Sequence, residues 1–327
     1  MPSRPSLRSF AESTLSIREA LIRPVLHRGT ELWLLIRAAW ERGRIAFVAD
    51  NPVLKRGDEG PDVARFQDLV NRDGAILQAD GDFGSGTEVA LREFQARSRL
   101  TVSAAVDGPT WEKLSALSEP CPDIPSRAVS FICREEVSSR EYYDAHASRP
   151  TWPGGASGVT IGVGYDLGYE SGMEVDWWHL LAPVQIVALK PWVGVKGAAA
   201  EAAIAGLSGI IIPWYSAWLT WLLFIGTSLP SYVTKTKQAF GNPPGLPPLC
   251  FGMLVSLVYN RGASMTDSAS HPGDRQEMRD IRDAMASSHF DRIPGLLRSM
   301  ERLWPLGNGL RTRREQEAEM FEAGLGL

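Results

Sequence analysis

Sulfur and imidazole are scarce in this chain. Three cysteines in 327 residues, Cys121, Cys133 and Cys250, provide no framework of paired bridges. Cys133 sits among apolar residues at helical spacing and reads as packing. The five histidines, His27, His146, His179, His271 and His289, are scattered, and none stands at ligand spacing with a cysteine or an acid. No metal and no cofactor is therefore expected, and zinc-dependent or Cys–His peptide chemistry is disfavoured. Basic charge is not in excess either. A net charge of −4 and a pI near 5.8 lack the footprint of a nucleic-acid binder. They also give no long-range pull toward an anionic polymer, so recognition of one would rest on close contacts. A secretory leader pattern is missing: Arg4 and Arg8 are followed by Ser9, Glu12 and Arg18 where an unbroken apolar core would stand. The expectation is synthesis in the cytoplasm, with release or non-classical export.

One long uncharged run does occur. Residues 202–233 carry no charge and are long enough to span a bilayer. Gly206, Gly209, Pro213 and Gly226 interrupt the run, which reads instead as two buried helices broken at Pro213, without stable membrane insertion.

What is present falls into two patterned regions. In residues 51–117, Val63, Phe66-Gln67 and Leu69-Val70 mark one amphipathic helix. Val89-Ala90, Leu91 and Phe94 mark a second, with Thr87 near its start, and a third begins around Thr110-Trp111. The loop Asp80-Gly-Asp-Phe-Gly84 supplies a tight turn before the second helix, and Asp107-Gly108 echoes it before the third. The whole stretch resembles the small three-helix peptidoglycan-binding domain. That resemblance implies wall tethering, which raises local concentration on an insoluble polymer.

The second region carries the chemistry. In Gly158-Val-Thr-Ile-Gly-Val-Gly-Tyr-Asp-Leu-Gly168, Val159, Ile161 and Val163 alternate with Thr160 and Gly162, as in a short strand. The glycines allow the backbone to turn, so Thr160 and Asp166 can share one side of a hairpin tip. Upstream, residues 128–143 show helical apolar spacing through Val129, Ile132 and Tyr143. On that helix Glu135 and Glu136 both fall inside the apolar arc, Glu136 nearer its centre. A carboxyl held against apolar surface keeps its proton to higher pH and can donate it to a leaving oxygen. A hydroxyl and two carboxyls at one cleft are the groups needed to break a glycosidic bond with water.

The pattern Glu136…Thr160-Ile-Gly-Val-Gly-Tyr-Asp166 resembles the phage-type lysozymes, and more closely the pesticin-like muramidases. Leu254-Val-Ser-Leu-Val-Tyr-Asn-Arg-Gly262 resembles their buried helix, and the Gly309-Leu-Arg-Thr-Arg-Arg-Glu-Gln-Glu segment resembles their closing one. The three motifs stand in family order across roughly residues 125–325. The resemblance implies hydrolysis of the β-1,4 bond between N-acetylmuramic acid and N-acetylglucosamine. Glu136 is the implied acid, and Asp166 and Thr160 position the water. Attack from the opposite face gives inversion and needs carboxyls roughly 6.5–9.5 Å apart. Glu135 stands as the alternative acid. Asp144 is the alternative second carboxylate, because the shortest phage enzymes carry theirs before the threonine. Tyr165 either lines the sugar groove or packs. Arg313 and Glu317, four residues apart, read as an exposed helix pair.

The expected fold is mainly α with a small β-hairpin: a three-helix bundle plus an α+β lysozyme-like domain. Its boundaries are an extension of unassigned role at 1–50, the bundle at 51–117, a proline-rich joint at 118–126 and the larger domain at 127–327. The extension carries eight arginines, five acids and a helical pattern from Thr30 to about Arg44, and its protein partner is unknown. Three other readings stay open: a lytic transglycosylase, which uses a protonated glutamate without a water-holding aspartate; a non-catalytic wall binder; and a membrane-anchored enzyme, which would require residues 202–233 to partition into lipid.

Overall fold

A computed structural model describes residues 51–223 and 228–327. The extension at 1–50, with the helical pattern from Thr30, lies outside the described residues. Residues 52–327 form one compact unit.

The first helices are α1 (Pro61–Asn71), α2 (Ser85–Arg97) and α3 (Gly108–Ser115). α1 starts with a proline, whose fixed φ and missing N–H suit a first turn. α3 is capped by Asp107, which accepts from the Thr110 N–H at 3.0 Å. The three helices enclose a core that includes Val63, Phe66, Phe83, Leu91, Phe94 and Trp111. The expected elements are all present, each near its expected place.

The larger region contains α4 (Ser126–Val137), α5 (Arg140–Tyr142), β1 (Thr160–Ile161), β2 (Tyr165–Asp166), α6 (Met173–Asp176), α7 (Pro183–Leu189) and α8 (Ala198–Leu207). α9 (Trp214–Leu223), α10 (Leu229–Phe240), α11 (Pro248–Arg261), α12 (Gln276–Ala286), α13 (Ile293–Ser299) and α14 (Gly309–Leu325) follow. The strands form a two-stranded antiparallel sheet, and its register sets Thr160 opposite Asp166.

α11 is buried along nearly its whole length and is the axis on which α4, α10 and α14 pack. A helix that is apolar all round belongs in a core. Gly252 is needed where α11 crosses α4, because a Cβ there would collide with that of Ala128.

The single helix expected over residues 128–143 is two pieces. α4 stops at Ser138, whose φ is +66°, and Ser139 caps α5 by accepting from the Tyr142 N–H. Adjacent serines offer the backbone hydroxyl partners that compete with a continuing helix. The uncharged run divides near Pro213, with α8 before it and α9 after it. Among the described residues no helix is long and apolar enough to cross a membrane.

The small bundle is seated firmly. The Trp214 indole N–H donates to the Gly74 carbonyl at 2.7 Å. Gly74 has φ +82°, and a Cβ there would lie 2.8 Å from the Trp218 ring. Ile76 and Ile124 are buried in the larger core. The joint at 118–126 is fastened by Glu119, which pairs with Arg72 at 2.7 Å and accepts from the Ser126 N–H at 2.6 Å.

Candidate active site

The last turn of α4 presents Glu135 and Glu136 to the first turns of α14. Arg313 stands between them. Its Nη1 lies 3.4 Å from Glu136 Oε1, and its Nε lies 3.7 Å from Glu135 Oε2. Behind Arg313 is a second layer with no access to water. Glu317 and Arg314 are both 0% exposed, and their closest N···O distance is 2.8 Å. The Ser256 hydroxyl donates to Glu317 Oε1 at 2.6 Å and accepts from Arg313 Nη2 at 3.1 Å. The expected exposed pair of Arg313 and Glu317 is therefore an interior one. The face of α14 that carries them also carries Ala318 and Phe321, both fully buried, and the charges turn inward with that face.

This layering sets the protonation of Glu136. Burial pushes its carboxyl above the ordinary range; Arg313 opposes that shift and the neighbouring Glu135 adds to it. Burial likewise raises Glu317, against the pull of Arg314 and Arg313, and lowers Arg314, against the pull of Glu317. Two guanidiniums, Arg313 and Arg314, thus stand among three carboxyl groups, Glu135, Glu136 and Glu317. Tyr232 and Tyr259, with ring centroids 4.1 Å apart, lie within reach of the same carboxyl. Burial first, then the Glu136 charge, pushes both phenols up.

Glu136 keeps about a third of its side chain in solvent, at 32%. It opens on a groove of about 530 Å³ walled by Glu135, Asn260, Thr312, Arg313 and Gln316. A carboxylic acid that resists ionisation at the wall of an open groove can serve as a proton donor.

The hairpin residues are brought together, but on their own terms. The Asp166 carboxylate accepts from the Gly158 N–H at 2.9 and 3.1 Å and from the Gly168 N–H at 2.8 Å. Thr160 Oγ1 is buried with no hydrogen-bond partner. Neither residue is among the walls of the Glu136 groove. The hairpin tip leans on α9, with Gly162 against Ala217 and Trp177. From α9 the Trp221 indole N–H donates to the Tyr259 hydroxyl at 3.0 Å, next in sequence to Asn260 of the groove. Tyr165 is packed: it is 8% exposed, meets Trp177 edge-on and donates its hydroxyl to Asp176. Asp144 lies on an exposed π-helical turn and pairs with Arg140 at 2.9 Å. Cys133 is fully buried.

Sequence reasoning passed over Arg314 and Ser256, which hold the second layer. Their signal was positional, since each lies on the buried face of its helix beside residues that had been noticed for other reasons.

Residues 59–114 match the model of a putative peptidoglycan binding domain. That is the small bundle. No curated protein matches the chain. Among solved structures the chain is similar to one titled "Crystal structure of Burkholderia AP3 phage endolysin", with 18% identity over 83% of this chain and 100% of that one. The TM-score is 0.20, a superposition that carries no argument.

Proposed function

We propose that this protein hydrolyses the glycan of peptidoglycan, cutting the β-1,4 bond between N-acetylmuramic acid and N-acetylglucosamine. The reading is carried by one observation: a carboxyl, Glu136, about two-thirds buried beside Arg313 and Glu135, raised above the ordinary range by burial, and opening on a groove. The peptidoglycan-binding bundle in the same compact unit supports the choice of polymer. Glu136 protonates the glycosidic oxygen. Asp166 and Thr160 take the roles of charge stabiliser and water holder on the resemblance to pesticin-like muramidases alone, since neither lines the Glu136 groove.

The experiment is mass spectrometry of fragments released from purified peptidoglycan. Reducing N-acetylmuramic acid ends from the wild type, lost in Glu136→Gln, support hydrolysis. Retained turnover in Glu136→Gln with loss in Glu135→Gln moves the acid by one residue. Release of nothing by the wild type leaves a wall-binding protein.

A second reading has its own observation. The hairpin carboxylate is absent from the walls of the Glu136 groove. A lytic transglycosylase needs no second carboxylate, because the sugar's own 6-hydroxyl attacks its anomeric carbon. Its products end in 1,6-anhydro sugars, which the same spectra resolve.

A further inference from the structure

A second hollow adjoins the Glu136 groove. It encloses about 550 Å³ along the seam of α4 and α14, and its far wall is the loop at 77–79 of the peptidoglycan-binding bundle. Glu135 and Gln316 line both hollows, so they form the ridge between them. Arg127 and Glu136 are nine residues apart on one helix, which places the far end of the hollow roughly 13 Å from the acid.

The walls are polar and carry both signs of charge: Arg127 and Arg134 against Glu135 and Glu319. Arg134 is fixed in place. Its Nη1 donates to the Leu77 carbonyl at 2.6 Å, while its Nε and Nη2 make no hydrogen bond among the described residues. Arg127 and Glu319 are exposed and have no ion pair among the described residues, and Arg127 influences Asp68 only through space. The one aromatic ring in the walls is Phe131, which is buried at 3% and offers no face for a sugar to stack on. An N-acetylated glycan strand is uncharged along its backbone and has no use for such walls. The short peptides that branch from it carry free carboxylates and, where a diamino acid occurs, an ammonium group. A guanidinium grips a carboxylate with a matched pair of N–H donors, and glutamates accept from an ammonium.

We infer that this hollow binds the peptide branch of the same wall strand whose glycan lies at Glu136. The inference rests on the proposed hydrolysis only for the direction in which the strand is laid; the peptide site itself does not depend on it.

The test uses the full chain and a soluble wall tetrapeptide with free carboxylates, titrated by calorimetry or NMR. The free-acid peptide binds the wild type at least tenfold tighter than the same peptide with its carboxyls amidated. Arg127→Glu weakens it at least tenfold, and Arg127→Lys restores part of the loss. On glycan, the ratio of turnover with peptide-bearing to peptide-stripped strands falls at least fivefold in Arg127→Glu. Misfolding would lower both rates and leave the ratio alone. Equal affinity for the two peptides, an unchanged ratio, or loss of binding to peptide-free sugar oligomers in Arg127→Glu would each overturn the inference. If neither glycan is cut while the peptide still binds through Arg127, the hydrolytic reading falls and this one stands. If both glycans are cut and no peptide binds, the reverse holds.

Discussion

In the small bundle, the fully buried polar side chains are neutral and hydrogen-bonded, and only at its margin do Asp68 Oδ1 and Arg72 Nε lack a partner among the described residues. The Gln67 carboxamide donates to Asp80, to the Asp82 carbonyl and to Thr87, and accepts from the Gly81 N–H. Gln95 does the same for the loop before α3, donating to Ser103, to the Ala105 carbonyl and to Thr110, and accepting from the N–H groups of Ser103 and Ala104. In the larger region, the buried cluster is charged and incomplete: Arg314 Nε and Nη1 and Glu317 Oε2 have no hydrogen-bond partner. A complete neutral network fixes the shape of loops and does little else. An incomplete ionic one is costly to bury, and the field it leaves acts on whatever carboxyl stands at its edge. Here that carboxyl is Glu136.

The contrast can be broken first at its most reactive point. Glu136→Gln is expected to lower glycan turnover by about 10²–10⁴-fold, the usual contribution of a positioned acid, with wall binding retained in a sedimentation assay. The same variant tests the sign of the pH effect. A carboxyl raised in the folded state contributes stability that is full below its ordinary value and is lost as pH rises through the raised one. Denaturant unfolding of the wild type should therefore lose stability across that window, and Glu136→Gln should flatten the loss. A wild-type curve without it would mean that Glu136 is not held protonated.

Glu317→Gln replaces the innermost carboxyl by a neutral amide. Leaving the two guanidiniums under-compensated should cost about 3 kcal/mol in unfolding free energy. The added positive imbalance at Arg313 loosens the Glu136 proton, so the alkaline limb of the pH–rate profile should move to lower pH. A purely structural role for Glu317 would lower stability and leave the limb in place.

Gln67→Leu strikes the neutral network instead. It strands the Gly81 N–H and the acceptors around it, for an expected loss of about 2 kcal/mol. Wall binding should weaken while the pH profile keeps its shape. Thr160→Val should leave stability nearly unchanged, since the hydroxyl has no partner to lose, yet slow turnover about tenfold if that hydroxyl holds water. Asp144→Asn should change stability by no more than about 0.5 kcal/mol, as expected of an exposed pair. A large loss of activity there would transfer the second carboxylate's role from Asp166 to Asp144.

Much of this was legible in the residues. The bundle helices and the hairpin announce themselves because apolar period and turn chemistry agree at each of them. The partial burial of Glu136 was legible because it falls in an apolar arc. The break at Ser138 was not, since the apolar spacing runs on past it to Tyr143 and gives no hint that hydroxyl caps intervene. The inward turn of Arg313 and Glu317 was hidden because charges four apart on a helix ordinarily face water, and only the neighbouring Ala318 and Phe321 indicate otherwise. Where the hairpin sits relative to the groove depends on how α9 packs, which no local pattern specifies.

The seam at Gly74, where two tryptophan rings close over a bare backbone, has a consequence for how the molecule meets its polymer. A wall anchor on a loose leash samples every heading. With the anchor bolted to the region proposed to cut, a grip on the wall would also fix which way the Glu136 groove points and at what pitch the strand crosses it.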